Sequence, residues 1–175
     1  MAVDLDPQES RCHRMLGLIC LFRREHATAE RHFQRALELN PNDADGMQQM
    51  GYLLALRGRP EDALKQMNPA RRLNPFHPTW YNHSLGIALY SLRRYGEAAQ
   101  ALARLPHPGP WTRARLAACF AQLGEHADAQ AQAAAVLATR PDFSIGRFLE
   151  RDVLLERHED REHLRAGLRK AGLPE

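Results

Sequence analysis

Two stretches of the chain, MLGLICLFRREHATAERHFQRALELNP (15–41) and MGYLLALRGRPEDALKQMNPARRLNP (50–75), align at a constant offset of 34 residues. Gly17 is paired with Gly51 and Pro41 with Pro75. Two further copies follow, the third carried by Leu85, Gly86, Leu89, Ala98 and Leu102, and the fourth by Leu116, Ala117, Phe120, Ala129, Ala133, Val136 and Pro141. Self-similarity at this period predicts a stacked repeat architecture.

Small residues recur where two antiparallel helices of each copy would cross. A larger side chain at such a position would overpack the contact at a cost of about 1–3 kcal/mol. Turn signals stand between the helices, as in LRGRPED (56–62), where Gly58 can end one helix and Pro60 can begin the next. The predicted helix-packing positions are Gly17, Ala29, Ala36, Gly51, Ala63, Gly86, Ala98, Ala117 and Ala129.

This pattern resembles the tetratricopeptide repeat (TPR), whose signature has a Leu-Gly pair followed by Ala, Phe, Ala and Pro at fixed offsets. The resemblance implies an all-α fold, a right-handed superhelical α-solenoid of helix-turn-helix repeats. It divides the chain into TPR 1 (9–42), TPR 2 (43–77), TPR 3 (78–109, with a shortened second helix) and TPR 4 (110–142).

The two ends of the chain depart from the repeat. AVDLDP (2–7) matches ALELNP (36–41), so residues 1–8 are predicted to be the remnant of a preceding repeat helix, and the chain the C-terminal piece of a longer array. A natural N-terminus with one frayed turn is the alternative. Beyond the fourth repeat, apolar spacing predicts helices over about 144–156 and 160–171, and residues 143–175 are expected to cap the solenoid with a polar outer side.

Two irregularities lie inside the array. Pro69 falls within the second helix of TPR 2, where an interior proline removes a hydrogen bond, so we expect a kink there. RLPHPGPW (104–111) concentrates three prolines, which predicts a stiff, extended loop that either presents Trp111 to a partner or is a tolerated deletion.

Composition narrows the classes of protein. The sequence has neither the run of about 18 to 20 apolar residues that a membrane span needs nor a secretory signal, so a cytoplasmic location is expected. Three cysteines without metal-site spacing argue against a disulfide framework. The net charge of +3 is mild and the two signs are interleaved, which argues against nucleic acid as the partner.

No stretch carries a catalytic, metal or cofactor motif. In HEDREH (158–163) the two histidines are five residues apart, about 140° around a helix, whereas a zinc-protease helix needs them four apart. Cys12-His13 lacks a second pair with zinc spacing, and His83-Ser84 lacks an acidic third member. We therefore expect a chain that is not an enzyme and holds no cofactor.

In TPR arrays the first helices of the repeats line a concave groove, and the resemblance places the partner-binding residues there. Aromatic residues and arginine most often dominate protein contacts. TPR domains that grip C-terminal carboxylates use a Lys and an Asn where this chain has Arg14 and Leu18, so chaperone-tail binding is not expected. For Trp80 and Trp111, bracing of the repeats is the alternative role. The predicted groove residues are Arg14, Leu18, Gln48, Tyr52, Trp80, His83, Ile87, Tyr90 and Trp111.

A second resemblance concerns a parent protein. Residues 74–98, 108–124 and 168–175 look like the C-terminal TPR segment that follows the catalytic domain in many bacterial adenylate or guanylate cyclases, and related tails occur on winged-helix regulators. The resemblance implies a non-catalytic regulatory module of a bacterial signalling protein.

Three hypotheses for the function follow. The leading one is a non-enzymatic scaffold that holds a protein, a peptide or another domain of its parent in the groove. The alternative is an oligomerisation module with no groove ligand. Nucleic-acid binding through Arg93, Arg94, Arg113 and Arg115 is the third. An N-terminal end exposing Val3, Cys12, Met15 and Leu16 is also expected to support a homodimer.

Overall fold

The computed structural model describes residues 9–175, and this part of the chain contains helices and no strands. The predicted helix remnant at 1–8, including Val3, lies outside the described residues. Among the described helices, none has the length and apolar character needed to cross a membrane.

Eight helices pair into four consecutive hairpins, which confirms the predicted all-α solenoid. Each hairpin has a first helix and a second helix, and neighbouring hairpins stack. The helices are α1 (Ser10–Phe22), α2 (His26–Leu39), α3 (Ala44–Leu56), α4 (Pro60–Leu73), α5 (Trp80–Ser91), α6 (Tyr95–Ala103), α7 (Pro110–Leu123) and α8 (His126–Thr139).

The turn inside each hairpin contains one residue with a left-handed backbone. Gly58 and Gly124 take φ of 72° and 80°, and Arg24 and Arg93 take φ of 62° and 59° at the equivalent places. Glycine adopts this conformation at no steric cost, whereas an arginine does so only where the surroundings compensate. The repeat is thus preserved in backbone geometry even where the sequence loses its glycine.

The two helices of each of the first three hairpins can cross closely because a glycine, which has no side chain, occupies the crossing position on the first helix. A Cβ added at Gly51 would lie 2.6 Å from Met67 Cγ, and one at Gly86 would lie 2.6 Å from Leu102 Cγ. A Cβ at Gly17 would meet the Phe33 ring at 2.7 Å. The alanines at the predicted helix-packing positions are at most 1% exposed, namely Ala29, Ala36, Ala63, Ala98, Ala117 and Ala129.

Both sequence irregularities are accommodated without loss of a helix. α4 continues through Pro69 and has 14 residues, as many as α2. The kink predicted at Pro69 stays a prediction. α6 is shorter, with 9 residues, and the chain reaches α7 through the proline-rich loop.

The C-terminal segment, residues 143–175, is less regular than expected. A helical turn α9 (Ile145–Arg147) leads into a π-helical turn (Phe148–Asp152), and residues 153–157 are non-helical before α10 (His158–Lys170). The prediction of one helix over about 144–156 is therefore wrong beyond Asp152, because the Val153 and Leu154 carbonyls and the Glu156 N–H bond to the repeats instead of continuing the helix. The Ile145 N–H donates to the Pro174 carbonyl at 2.8 Å, so Pro174 lies beside the beginning of the C-terminal segment.

Candidate functional site

The inner surface of the array is formed by the first helices α1, α3, α5 and α7, and the C-terminal segment covers part of it, chiefly on α7. α10 packs on α7 so closely that a Cβ at Gly167 would lie 2.3 Å from the Tyr90 hydroxyl and 3.1 Å from Ala118 Cβ. The expected cap is therefore not confined to the last repeat. It runs back across the groove towards the first two repeats.

The stretch 153–157 is held mainly through its backbone. Arg24 Nη1 donates to the Val153 carbonyl at 3.0 Å, and His26 Nε2 lies 2.9 Å from the Leu154 carbonyl, to which it donates. The Glu156 N–H donates to the Leu56 carbonyl at 2.8 Å. Such bonds recognise an extended main chain whatever its side chains are.

The side chains of this stretch add apolar and ionic contacts. Val153, Leu154 and Leu155 are buried. Glu156 accepts a hydrogen bond from Arg57 Nε at 2.8 Å, and Arg157 donates to the Gly58 carbonyl at 3.1 Å. The turns of the first two hairpins thus hold three consecutive apolar residues followed by an acidic one.

Further along, α10 is held by an aromatic contact. The His163 ring stacks on Tyr90 with centroids 4.8 Å apart, and its Nε2 lies 2.8 Å from the Tyr95 hydroxyl. Burial, and next the charge of Arg93, lower the pKa of His163 below its ordinary value. A neutral imidazole is therefore favoured in this contact.

At the end of the array, Trp111 packs on the C-terminal segment. Its ring stacks on Phe148 at 5.2 Å and lies 6.0 Å from Phe143, while the Arg140 guanidinium sits 5.0 Å from the Trp111 centroid. This contact matches the bracing role considered for Trp111, with the C-terminal segment as the element that is braced.

Two of the predicted groove residues have partners within the array. Arg14 forms ion pairs with Asp43 at 3.6 Å and Asp45 at 3.0 Å. Gln48 is fully buried and donates to the Tyr81 carbonyl and Ser84 Oγ. In this conformation Gln48 joins α3 to α5 and is out of a partner's reach.

The other predicted groove residues differ in exposure. Ile87 and Tyr90 are 2% and 5% exposed, so both are covered. Half-buried positions are Leu18, Tyr52, Trp80, His83 and Trp111. Trp80 makes an edge-to-face contact with Tyr81, their centroids 4.4 Å apart, so it is partly engaged in packing.

The structure adds a residue to the inner surface that groove prediction missed. Arg115 on α7 is 7% exposed and lies beside predicted groove residues. Its charge acts on Tyr52 and His83: burial first, and then Arg115, lower the pKa of His83 to about 4. The signal would have been a single arginine within the otherwise apolar stretch ARLAACFA (114–121).

The four arginines considered for nucleic acid do not form one exposed patch. Arg115 is buried, and Arg94 is paired with Glu97 at 2.6 Å. Arg113 donates to the Pro108 carbonyl and to Gln132. Among residues 9–175 there is also no group of three or more His, Cys, Asp or Glu side chains arranged to hold a metal ion.

Comparison with known structures finds the same fold in several proteins. YrrB, described as a TPR protein with an unusual peptide-binding site, has a TM-score of 0.63 at 22% identity, over 97% of this chain and 88% of that one. The type IV pilus biogenesis factor PilW has a TM-score of 0.71 at 20% identity, over 94% and 78%. MamA from Desulfovibrio magneticus RS-1 has a TM-score of 0.64 at 18% identity, over 93% of each chain. At these identities the likeness shows the fold alone.

Comparison with curated proteins gives no match. Three family models, each described as a tetratricopeptide repeat, match residues 10–43, 32–65 and 49–110. Together they span residues 10–110, which is more than half of the chain. With the four stacked helical hairpins, these matches show that the chain belongs to the tetratricopeptide repeat family.

Proposed function

We propose that this chain is a non-enzymatic scaffold that binds an extended segment of a partner protein, or of another domain of its own polypeptide, on the inner surface of the repeats. The observation that carries the proposal is the stretch 153–157, a peptide-like segment already held against the turns of the first two hairpins by hydrogen bonds to Arg24, His26 and the Leu56 carbonyl. Backbone hydrogen bonds supply affinity and pockets for side chains supply specificity.

Partly exposed aromatic side chains support the same proposal. Tyr52, Trp80 and His83 are half-buried on α3 and α5, so they keep some accessible surface. Rigid aromatic side chains give large contact area at a low cost in side-chain entropy. A partner would therefore gain most of its affinity from this central part of the groove.

The regulatory version of the proposal names the parent as a bacterial signalling protein such as a nucleotide cyclase. Its support is the sequence resemblance of residues 74–98, 108–124 and 168–175. In that version the bound segment belongs to the catalytic or DNA-binding domain of the same polypeptide.

Selection of peptides from a random displayed library on the full chain tests the groove. Selected peptides should bind in solution, and the double substitution Tyr52→Ala with Trp80→Ala should weaken them at least tenfold. Phe76→Ala is the matched control, because Phe76 is 97% exposed in the loop between α4 and α5, away from the inner surface. Peptides that bind the double variant as well as the wild type would contradict the proposal.

The alternative function, an assembly module, has one observation in its favour. α1 exposes Met15, Ile19 and Phe22, at 53%, 50% and 69%. The spacing of four and three residues places them on one face of the helix. An exposed apolar stripe of this kind is typical of a surface that another protein covers.

A further inference from the structure

Arg115 is largely buried and has no acidic partner among residues 9–175. Arg115 is 7% exposed, and it makes neither an ion pair nor a hydrogen bond with any of residues 9–175. Arg14, the other arginine that was expected on the inner surface, has Asp43 and Asp45 beside it. The nitrogens of Arg115 keep some contact with solvent, but most of the side chain is out of water, so a negative group that came within reach of the guanidinium would be stabilised by it.

The groups around Arg115 come from several elements of the groove. Its charge acts on Tyr52 of α3, on His83 and Tyr90 of α5, and on Cys119 of its own helix. Tyrosine hydroxyls can donate hydrogen bonds to an anion, and a neutral histidine can donate from one ring nitrogen. These groups make the neighbourhood of Arg115 able to hold a carboxylate.

Phe148 of the C-terminal segment occupies the position facing Arg115. The guanidinium carbon lies 5.9 Å from the Phe148 centroid. An aromatic face is a weaker partner for a cation than a carboxylate, which can accept two parallel hydrogen bonds from the guanidinium. Phe148 also begins the π-helical turn, in which the backbone hydrogen bonds differ from those of a regular α-helix.

We infer that Arg115 binds the side-chain carboxylate of an Asp or Glu within an extended partner peptide, which takes the place of Phe148 and displaces the C-terminal segment from the inner surface. The inference rests on the proposed groove function and specifies its ligand as an acidic residue near apolar ones. The resident segment has a similar composition, since Val153, Leu154 and Leu155 are followed by Glu156 on Arg57.

Displacement makes binding a competition with a tethered segment. Because residues 143–175 are part of the same chain, a partner must compete with a segment that is always present beside the groove. A partner that lacks the carboxylate gains nothing from Arg115 and competes poorly. Competition with the C-terminal segment therefore favours the binding of acidic peptides over peptides that lack the carboxylate.

Substitution within the full chain tests the chemistry first. Phe148→Glu places a carboxylate near Arg115, and Phe148→Gln is the matched neutral control. We expect Phe148→Glu to have an unfolding equilibrium constant at least tenfold more favourable to the folded state than Phe148→Gln. The advantage should disappear when Arg115→Met is added, and it should persist when Arg113→Met is added instead. Equal stability of the Glu and Gln variants, or an advantage that survives Arg115→Met, would overturn the inference.

Peptide binding then tests displacement. The probes are fluorescein-labelled 11-residue peptides with the sequence of 147–157, carrying Phe, Gln or Glu at the position of Phe148. The wild-type chain and Gly167→Leu, which should unseat α10 from Tyr90, are titrated with each. The Glu peptide should bind at least tenfold more tightly than the Gln peptide, and Arg115→Met should remove the difference.

The outcomes separate the inference from the proposed function. If the three peptides bind equally well, the groove holds peptides but Arg115 does not select a carboxylate, and the inference alone is wrong. If none of them binds either form of the chain, both are wrong. A peptide that ends in a free C-terminal carboxylate at the same position, and that alone binds tightly, would overturn the assignment to a side chain.

Discussion

The repeat array (9–142) and the C-terminal segment (143–175) are both helical, but they are held together by contacts of different range. Within the array, Gln48 reaches Ser84 across 36 residues of sequence, about one repeat. The C-terminal segment reaches Arg24 from Val153, across 129 residues, and Tyr95 from His163, across 68. The stability of a plain solenoid is a sum over neighbouring repeats. Here one segment also bonds directly to several repeats, so we expect the whole described chain to unfold as one unit.

The largest effect should come from a cavity in α10. Leu168 is fully buried, and Leu168→Ala should lower the free energy of unfolding by about 2–5 kcal/mol. Urea denaturation followed by circular dichroism should show a single transition at a lower midpoint. Arg169→Ala is the control, because the Arg169–Glu175 pair is exposed and its charges are screened by solvent. Two transitions, with the later one unchanged, would mean that the segment is not coupled to the array.

The next largest effect should come from the array. Gly51→Ala brings a Cβ to 2.6 Å from Met67 Cγ and 2.9 Å from the Ala63 carbonyl, which should cost about 1–3 kcal/mol. Gly96→Ala in α6 meets nothing within 4 Å and should stabilise by about 0.5–1 kcal/mol through helix propensity. Thermal unfolding of the two variants measures both. A neutral Gly51→Ala would mean that the helices of the second hairpin can separate without loss.

Acidification should weaken the contact between the two regions. Burial lowers the pKa of His163 and lowers that of His83 to about 4, so both are neutral in the folded chain and protonate near 6.5 when unfolded. The unfolded state then binds more protons below pH 6.5, so stability falls as the pH drops from 6.5 towards 4. Urea midpoints between pH 7 and 4 measure the loss. His163→Gln should flatten the dependence, whereas substitution of exposed His107 should not.

The smallest effect on stability, and the largest on self-association, is expected at the exposed apolar face of α1. Ile19→Glu places a charge in the exposed stripe with Met15 and Phe22, so it should change stability by less than about 0.5 kcal/mol. Sedimentation of the wild type should show a concentration-dependent dimer that Ile19→Glu removes and Phe76→Glu leaves. A wild type that stays monomeric at high concentration would rule out the predicted homodimer.

The sequence allowed the array to be predicted because its information is local and repeated. Gly17, Gly51 and Gly86 recur at nearly constant spacing, and each lies against a side chain of its own hairpin. The path of residues 145–157 was not predictable in the same way. Phe148, Leu149 and Val153 suit a helix by spacing, and only bonds to distant residues such as His26 and Leu56 select the extended form.

The candidate site, too, was predictable from the sequence only in part. The predicted groove residues belong to the first helices, as the repeat pattern placed them, but their covering depends on where the C-terminal segment lies. Tyr90, one of the predicted groove residues, stacks on His163 of the C-terminal segment. Arg115 was considered only among basic residues for nucleic acid, because its lack of a carboxylate is a property of three-dimensional packing that no single stretch of sequence records.

The long-range bonds of the C-terminal segment have a consequence for the order of folding. Closing a loop of 129 residues between Arg24 and Val153 costs more entropy than forming any hairpin of the array. Local contacts form fast, and chains fold from the N-terminal side during synthesis. All four hairpins are therefore made while residues 143–175 are still unsynthesised or inside the ribosome. Every newly made molecule passes through a period in which its groove is open, and a partner present at that moment meets no competitor.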